Sequence, residues 1–178
     1  ASMTLPTVHF RDATAADAAT LAAFSSLMFS ETFGHLYAEE DLSDYLTSKC
    51  SVEVFNAALA AGDHVILAYD GNELIGFCKI GNVELPVAHP PADAQEIHRI
   101  YLRRKYHGKR LGQELLKRAL ESKRLKDASL VYLGVWEEND RAKNFYFRNE
   151  FLPVGRYLYP VGKQQDNEMI LARVQHIH

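Results

Sequence analysis

At 178 residues, 47% of them hydrophobic and 24% charged, the chain has the size and composition of one folded domain and lies outside the disordered class. Its formal charge of -3 lacks the basic excess of a protein made to bind nucleic acid. No apolar run is long enough to span a bilayer, and the opening ASMTLPTVHF has no basic or apolar signal-peptide region, so the cytoplasm is the expected compartment and residues 1–178 are read as one domain. The Ala-Ser before Met3 resembles an expression scar. Cys50 and Cys78 have no metal-type spacing, and Cys78, within GFCKI, is expected to be a buried thiol.

Thr7–Arg11, β-branched and aromatic, opens the chain as a short strand. Thr14 followed by Asp17 forms a capping-box-like helix start, and Leu21, Phe24, Leu27 and Met28 repeat at helical spacing to about Phe29. After a break at Gly34, two more helical stretches are predicted, Glu39–Lys49 and Ser51–Ala61. HVILAYD and ELIGFCKI flank Asp70-Gly71-Asn72 and read as a hairpin. Val83–Ala92, with its prolines, is a loop. Gln95–Leu102 is a strand, Leu111 to about Lys123 an amphipathic helix, Leu130–Trp136 an apolar strand and Asp140–Glu150 a further helix. Two strands, VGRYLYP and NEMILARV, close the chain around a Gly162–Asp166 loop. The strand-helix-strand order from Gln95 to Trp136 implies a right-handed parallel crossover, and the remaining strands antiparallel additions. The class is α+β, or α/β in a looser scheme: a mixed, mostly antiparallel sheet.

Ile100–Leu116, IYLRRKYHGKRLGQELL, runs from a strand through a basic, glycine-containing turn into a helix. Unpaired N–H groups at a helix start, the helix dipole, and glycines that admit close backbone approach together make an anion site suited to a pyrophosphate. Lys105, Lys109 and Arg110 add charge, with Arg103 and Arg104 at the rim. The segment is neither a P-loop, which needs an upstream Gly and a Ser or Thr after Gly-Lys, nor a dinucleotide GxGxxG.

Downstream, Asn139, Ala142, Phe145 and Tyr146 stand as N-x-x-A-x-x-F-Y. Taken with His107-Gly108-Lys109-Arg110-Leu111-Gly112, this resembles the GNAT superfamily of N-acetyltransferases, whose first signature is Q/R-x-x-G-x-G/A. Here His107 replaces the usual Gln or Arg, Arg110 replaces a Gly, and Glu150 stands before Phe151 where a Gly is often found. The resemblance runs from Thr7 to Val174. It implies a splayed central strand pair, Gln95–Leu102 and Leu130–Trp136, with helices on both faces and acetyl-CoA in the opening, and no metal. Pantetheine would bond to the backbone of Ile100 and Leu102, and the pyrophosphate would rest on His107 to Gln113, that is on Gly108, Lys109, Arg110, Leu111 and Gly112 as well. Asn139 and Ala142 would face the cofactor from the other arm. Tyr146 is the expected acid for the leaving thiolate, a backbone N–H such as that of Leu102 the oxyanion donor, and Glu96 the expected base, with His98 or a water chain as alternatives. His176 and His178 show no ligand geometry.

The implied reaction is acetyl transfer to a small-molecule primary amine by direct attack in a ternary complex, with no membrane or nucleic-acid partner and homodimerisation left open. SETFGHLYAEEDLSDYL resembles the PaiA-like branch associated with spermidine and spermine, and Glu31, Glu39, Glu40, Asp41 and Asp44 would draw in a polyamine. The alternatives are a non-catalytic acetyl-CoA-binding regulatory module, and an acetyltransferase for an amino acid, an antibiotic or a protein amine.

Overall fold

The computed structural model describes residues 7–175; Ala1–Met3, His176 and His178 lie outside the described residues. In chain order the elements are β1 (Val8–Asp12), α1 (Ala18–Phe33), α2 (Glu39–Lys49), α3 (Val52–Ala60), β2 (His64–Asp70), β3 (Glu73–Gly81), β4 (Gln95–Leu102), α4 (Leu111–Glu121), α5 (Lys123–Lys126), β5 (Leu130–Trp136), α6 (Asp140–Arg148), β6 (Leu152–Val161) and β7 (Gln164–Val174). The strands form one sheet in the order β1-β2-β3-β4-β5-β7-β6. Every neighbouring pair is antiparallel except β4–β5.

Alternation along the strands divides the core between the two faces. On β2, Val65 and Leu67 pack with Leu21, Phe24 and Phe55 beneath α1 and α3. Ile66 points the other way and joins Leu115, Leu116 and Ala119 of α4. The central strands are therefore buried on both faces, which is why HVILAYD and LVYLGVW read as nearly continuous apolar runs.

Boundaries moved where local chemistry extended or cut a periodic stretch. Helix α1 runs on to Phe33, because Phe29 and Phe33 pack against one another with ring centroids 5.1 Å apart. Helix α4 stops at Glu121, where extended Ser122 breaks the ladder before the single turn of α5. The expected closing loop shrinks to the turn between β6 and β7, with Gly162 at φ +59°. Both cysteines are buried, and burial alone pushes the Cys78 thiol up. No helix among the described residues is long and apolar enough to cross a membrane.

The Thr14–Asp17 capping box is formed, and Asp17 also takes two hydrogen bonds from Arg11, at 2.8 and 3.0 Å. The Arg11 bonds, opposed by burial and helped by the Thr14 N–H, lower the Asp17 pKa from 3.8 to about 2. The stability this adds is present above the unfolded carboxyl's pKa and disappears as pH falls through the folded value. Asp17→Ala should cost about 1–2 kcal/mol at neutral pH in urea unfolding, and the gap between variant and wild type should close between about pH 4 and pH 2.

Candidate active site

The parallel pair β4–β5 is joined at only Gln95↔Val131 and Glu96↔Tyr132. Beyond those rungs the strands part, because β4 stays on β3 while β5 stays on β7 along its whole length. A β-bulge opposite Lys79 and Ile80 leaves His98 without a register partner and bends β4 where the separation begins. The resulting cavity, of about 1970 Å³, passes through the sheet, and its wall includes Tyr146 from one face and Glu168 from the other.

The backbone at the opening is free by geometry. The Arg103 N–H donates to the Ile75 carbonyl at 2.8 Å, which with the β3–β4 register turns the odd-numbered residues of this part of β4 toward β3. The N–H and C=O groups of Ile100 and Leu102 therefore face the gap. Below them the chain turns through a short 3-10 segment, Arg104–Tyr106, into α4. Gly108 has φ +79°, and a Cβ on it would meet nothing within 4 Å. A Cβ on Gly112 would meet only Leu102 Cδ2, at 4.0 Å. The first intrahelical bond, Glu114 N–H to the Arg110 carbonyl at 3.1 Å, leaves the preceding N–H groups of α4 for an outside acceptor.

Not all of the expected turn residues face the cavity. Ile100, Leu102, His107, Gly108, Arg110, Gly112 and Gln113 line it; Lys109 does not, and Leu111 is buried in the core beneath. His107 is committed elsewhere. Its Nε2–H donates to the Leu102 carbonyl at 2.8 Å, so its Nδ1 must accept from Arg141, at 2.6 Å. Its backbone N–H donates to the Arg104 carbonyl at 2.9 Å. Burial, and after it the charges of Arg141 and Arg104, lower its pKa, so the ring is a neutral brace and Arg141 is the cation it presents. Sequence reading missed Arg141; its position two residues after Asn139 was the available signal.

On the other arm, Asn139 caps α6 by accepting the Ala142 N–H at 3.2 Å, and both residues line the cavity. Gln113 exchanges amide hydrogen bonds with Asn149, at 2.7 and 3.1 Å, fixing α4 against the end of α6. Tyr146 is buried in the core while its ring reaches the cavity. Its pKa is raised by burial and then by the neighbouring Cys78 and Tyr101, with no hydrogen bond contributing.

The two base candidates differ in their freedom. Glu96 is 6% exposed, and its Oε1 accepts the N–H groups of Glu84 and Leu85 at 2.8 and 2.9 Å. Burial outweighs those bonds and raises its pKa to about 7. His98 has both ring nitrogens engaged: Nδ1 accepts from Lys79 at 2.8 Å and Nε2 donates to the Asn82 carbonyl at 2.7 Å. Burial and the Lys79 charge keep its pKa low, so a proton has no site on this ring without breaking the network.

The acids of α2 are not where substrate attraction would need them. Glu39, Glu40, Asp41 and Asp44 lie outside the cavity wall, and Asp41 instead accepts the Lys163 N–H at 2.9 Å to hold the β6–β7 turn. Glu31 does line the cavity, together with Asp166 and Glu168, which the sequence did not single out.

The model of the acetyltransferase (GNAT) family matches residues 26–151. The chain belongs to this family. An N-acetyltransferase of Lactobacillus delbrueckii subsp. lactis is 28% identical over 153 residues, covering 85% of this chain and 88% of the relative. One from Mycobacterium tuberculosis is 25% identical over 159 residues, covering 88% and 97%. Among solved structures, the PaiA N-acetyltransferase of Thermoplasma acidophilum in complex with coenzyme A superposes with a TM-score of 0.74 at 21% identity, covering 94% of this chain and 98% of that one. An acetyltransferase of Salmonella typhimurium with acetyl-CoA gives 0.62 at 16% identity, covering 97% and 96%.

The two GNAT signature glycines that this chain lacks fall at left-handed backbone positions. Arg110, the N-cap of α4, has φ +63°, and Glu150 has φ +68°. Glu150 is held there by Arg173, at 3.1 Å, which also donates to the Asn149 carbonyl at 3.0 Å. Arg110 makes no such bond through a capping side chain. Left-handed geometry costs a side-chain-bearing residue about 1–2 kcal/mol, so Arg110→Gly should raise stability by about 0.5–1 kcal/mol once the added freedom of the unfolded chain is counted. Urea unfolding measures this, with Arg110→Ala as the control that keeps the strain.

Proposed function

We propose that this GNAT N-acetyltransferase, one catalytic domain working in the cytoplasm, passes the acetyl group to a small primary amine by direct attack in a ternary complex, with a polyamine such as spermidine or spermine as acceptor. The acyl donor is acetyl-CoA, which supplies an activated thioester. One observation carries the reading. The two-rung β4–β5 junction opens a passage whose wall holds both the free helix start of α4 and the Tyr146 ring.

In this reading the pyrophosphate rests on the N–H groups at the start of α4, beside Gly108, Gly112 and Arg110, with Arg141 across from it. The close approach that Gly112 allows and the unpaired N–H groups fit that guest. The pantetheine arm bonds to the gap-facing N–H and C=O of Ile100, and not to Leu102 as well. Because the Leu102 carbonyl is already taken by His107, its N–H is what remains, and it serves the oxyanion of the tetrahedral adduct.

An alkylamine must lose a proton to attack, since its pKa lies near ~10.4 in water. Glu96, with a pKa of about 7, accepts that proton directly or through water. As the C–S bond breaks, Tyr146 donates its hydroxyl proton to the sulfur and is refilled from solvent. Its raised pKa keeps the phenol protonated until the thiolate forms. The acid-lined acceptor side, with Glu31, Asp166 and Glu168 in its wall, favours a cationic substrate, and that supports the polyamine.

A thiol-release assay on a panel of amines tests the activity itself; tight CoA binding without turnover would mark a binding module instead. Tyr146→Phe should lower kcat by about 10–10⁴-fold, in single turnover as well as steady state. The base must be deprotonated to act, so kcat/KM should fall as pH drops through about 7, and Glu96→Gln should remove that limb. Gly112→Asp sets a negative side chain where the pyrophosphate lies. Calorimetry should show a large loss of CoA affinity and near-normal pantetheine binding, whereas normal CoA binding by a folded Gly112→Asp protein would place the cofactor elsewhere.

A further inference from the structure

Among the described residues, Glu168 Oε2 is the one buried side-chain oxygen or nitrogen without a hydrogen-bond partner. Leaving a buried carboxylate oxygen unpaired is costly, and such groups mark strain, a catalytic role, or a place for a water or ligand. The Glu168 pKa is pushed up to about 8, first by burial and then by Asp166. Among the described residues no cation relieves it. Arg99, the buried cation of this side, is spent on Ser25 Oγ at 3.0 Å, Cys50 Sγ at 3.3 Å and the Lys49 carbonyl at 2.6 Å.

The surroundings of Glu168 are aromatic. In the sheet register it lies directly between Trp136 of β5 and Tyr157 of β6, on the same face. One step along that face, Asp166 is paired with Tyr159 and accepts a hydrogen bond from Tyr37. All of these side chains line the cavity. A desolvated carboxylate with a free oxygen, set among rings whose faces attract cations, is complementary to an alkylammonium group.

We propose that Glu168 binds a second, non-reacting ammonium group of the acceptor, so that the enzyme prefers amines carrying two cationic nitrogens. This rests on the amine-acetylation reading above. The bound nitrogen is not the attacking one, because a carboxylate partner stabilises the protonated, non-nucleophilic form. Position agrees: Tyr101, Tyr146 and Glu168 all line the one cavity.

The test compares 1,4-diaminobutane with 1-aminobutane, by steady-state kinetics and by calorimetric titration into CoA-saturated protein. Wild type should favour the diamine. Glu168→Gln should raise the diamine KM and Kd about 10–100-fold, the range expected for a lost charge-assisted hydrogen bond, and so bring the diamine-to-monoamine preference close to unity. Glu168→Asp, which keeps the charge on a shorter arm, should restore part of it. Asp44→Asn, on the outer surface of α2, should leave the preference intact. Unchanged CoA affinity and melting temperature in Glu168→Gln establish that the variant is folded. A wild type without diamine preference, or a Glu168→Gln protein that loses kcat equally on both amines while binding them normally, overturns the proposal. Diamine binding that depends on Glu168 but leads to no thiol release upholds the subsite and overturns the acetyl-transfer reading.

Discussion

The site depends on a disagreement between two strands about which neighbour to follow. β4 is hydrogen-bonded to β3 and β5 to β7 along nearly their full lengths, so the parallel contact between them survives for two rungs and then fails. A sheet interior normally cannot leave backbone groups unpaired, since each would cost about as much as a lost buried hydrogen bond. Here the unpaired groups are the N–H and C=O of Ile100 and the N–H of Leu102, and they border the cavity. The α4 helix start, the α6 cap at Asn139 and the bulge at His98 all cluster at the mouth of the same split.

Polar groups near the split fall into two kinds. Some are fully committed: the His107 ring is held at both nitrogens, and His98 is fixed between Lys79 and the Asn82 carbonyl. Their pKa values are lowered, and their contribution is rigidity. Others keep unused capacity, namely the Tyr146 hydroxyl, one oxygen of Glu96 and Glu168 Oε2. Burial sets the titration of this second kind, and these are the groups able to exchange protons or take a ligand.

The strand and helix order was legible because period-2 and period-3.6 patterns are strong in this chain, and the two signature blocks pointed to the family. Side-chain commitments were not legible. The link between His107 and Arg141 joins residues far apart in sequence, and only the docking of α6 against α4 creates it. The α2 acids form a cluster in sequence, yet a helix spreads such residues around its circumference, and here they face outward or latch a turn. Glu168 carries no motif or spacing that marks it in NEMILARV. Which face of a strand is buried depends on pairing register, and a one-residue slip would have put Glu168 on the opposite side. The missing signature glycines show the reverse. Arg110 and Glu150 occupy left-handed positions that the fold imposes whatever residue is there.

Asp41 reaches the β6–β7 turn so closely that a side chain on Gly162 would collide with it, and Tyr37 is bonded to Asp166 on the strand that follows. Helix α2 and the terminal hairpin are thereby latched into one panel, the panel that carries Glu168 and Tyr159. Substitutions on the two elements are then coupled: a change at Asp41 or Tyr37 is felt at the turn and strand that position Glu168, far away in sequence.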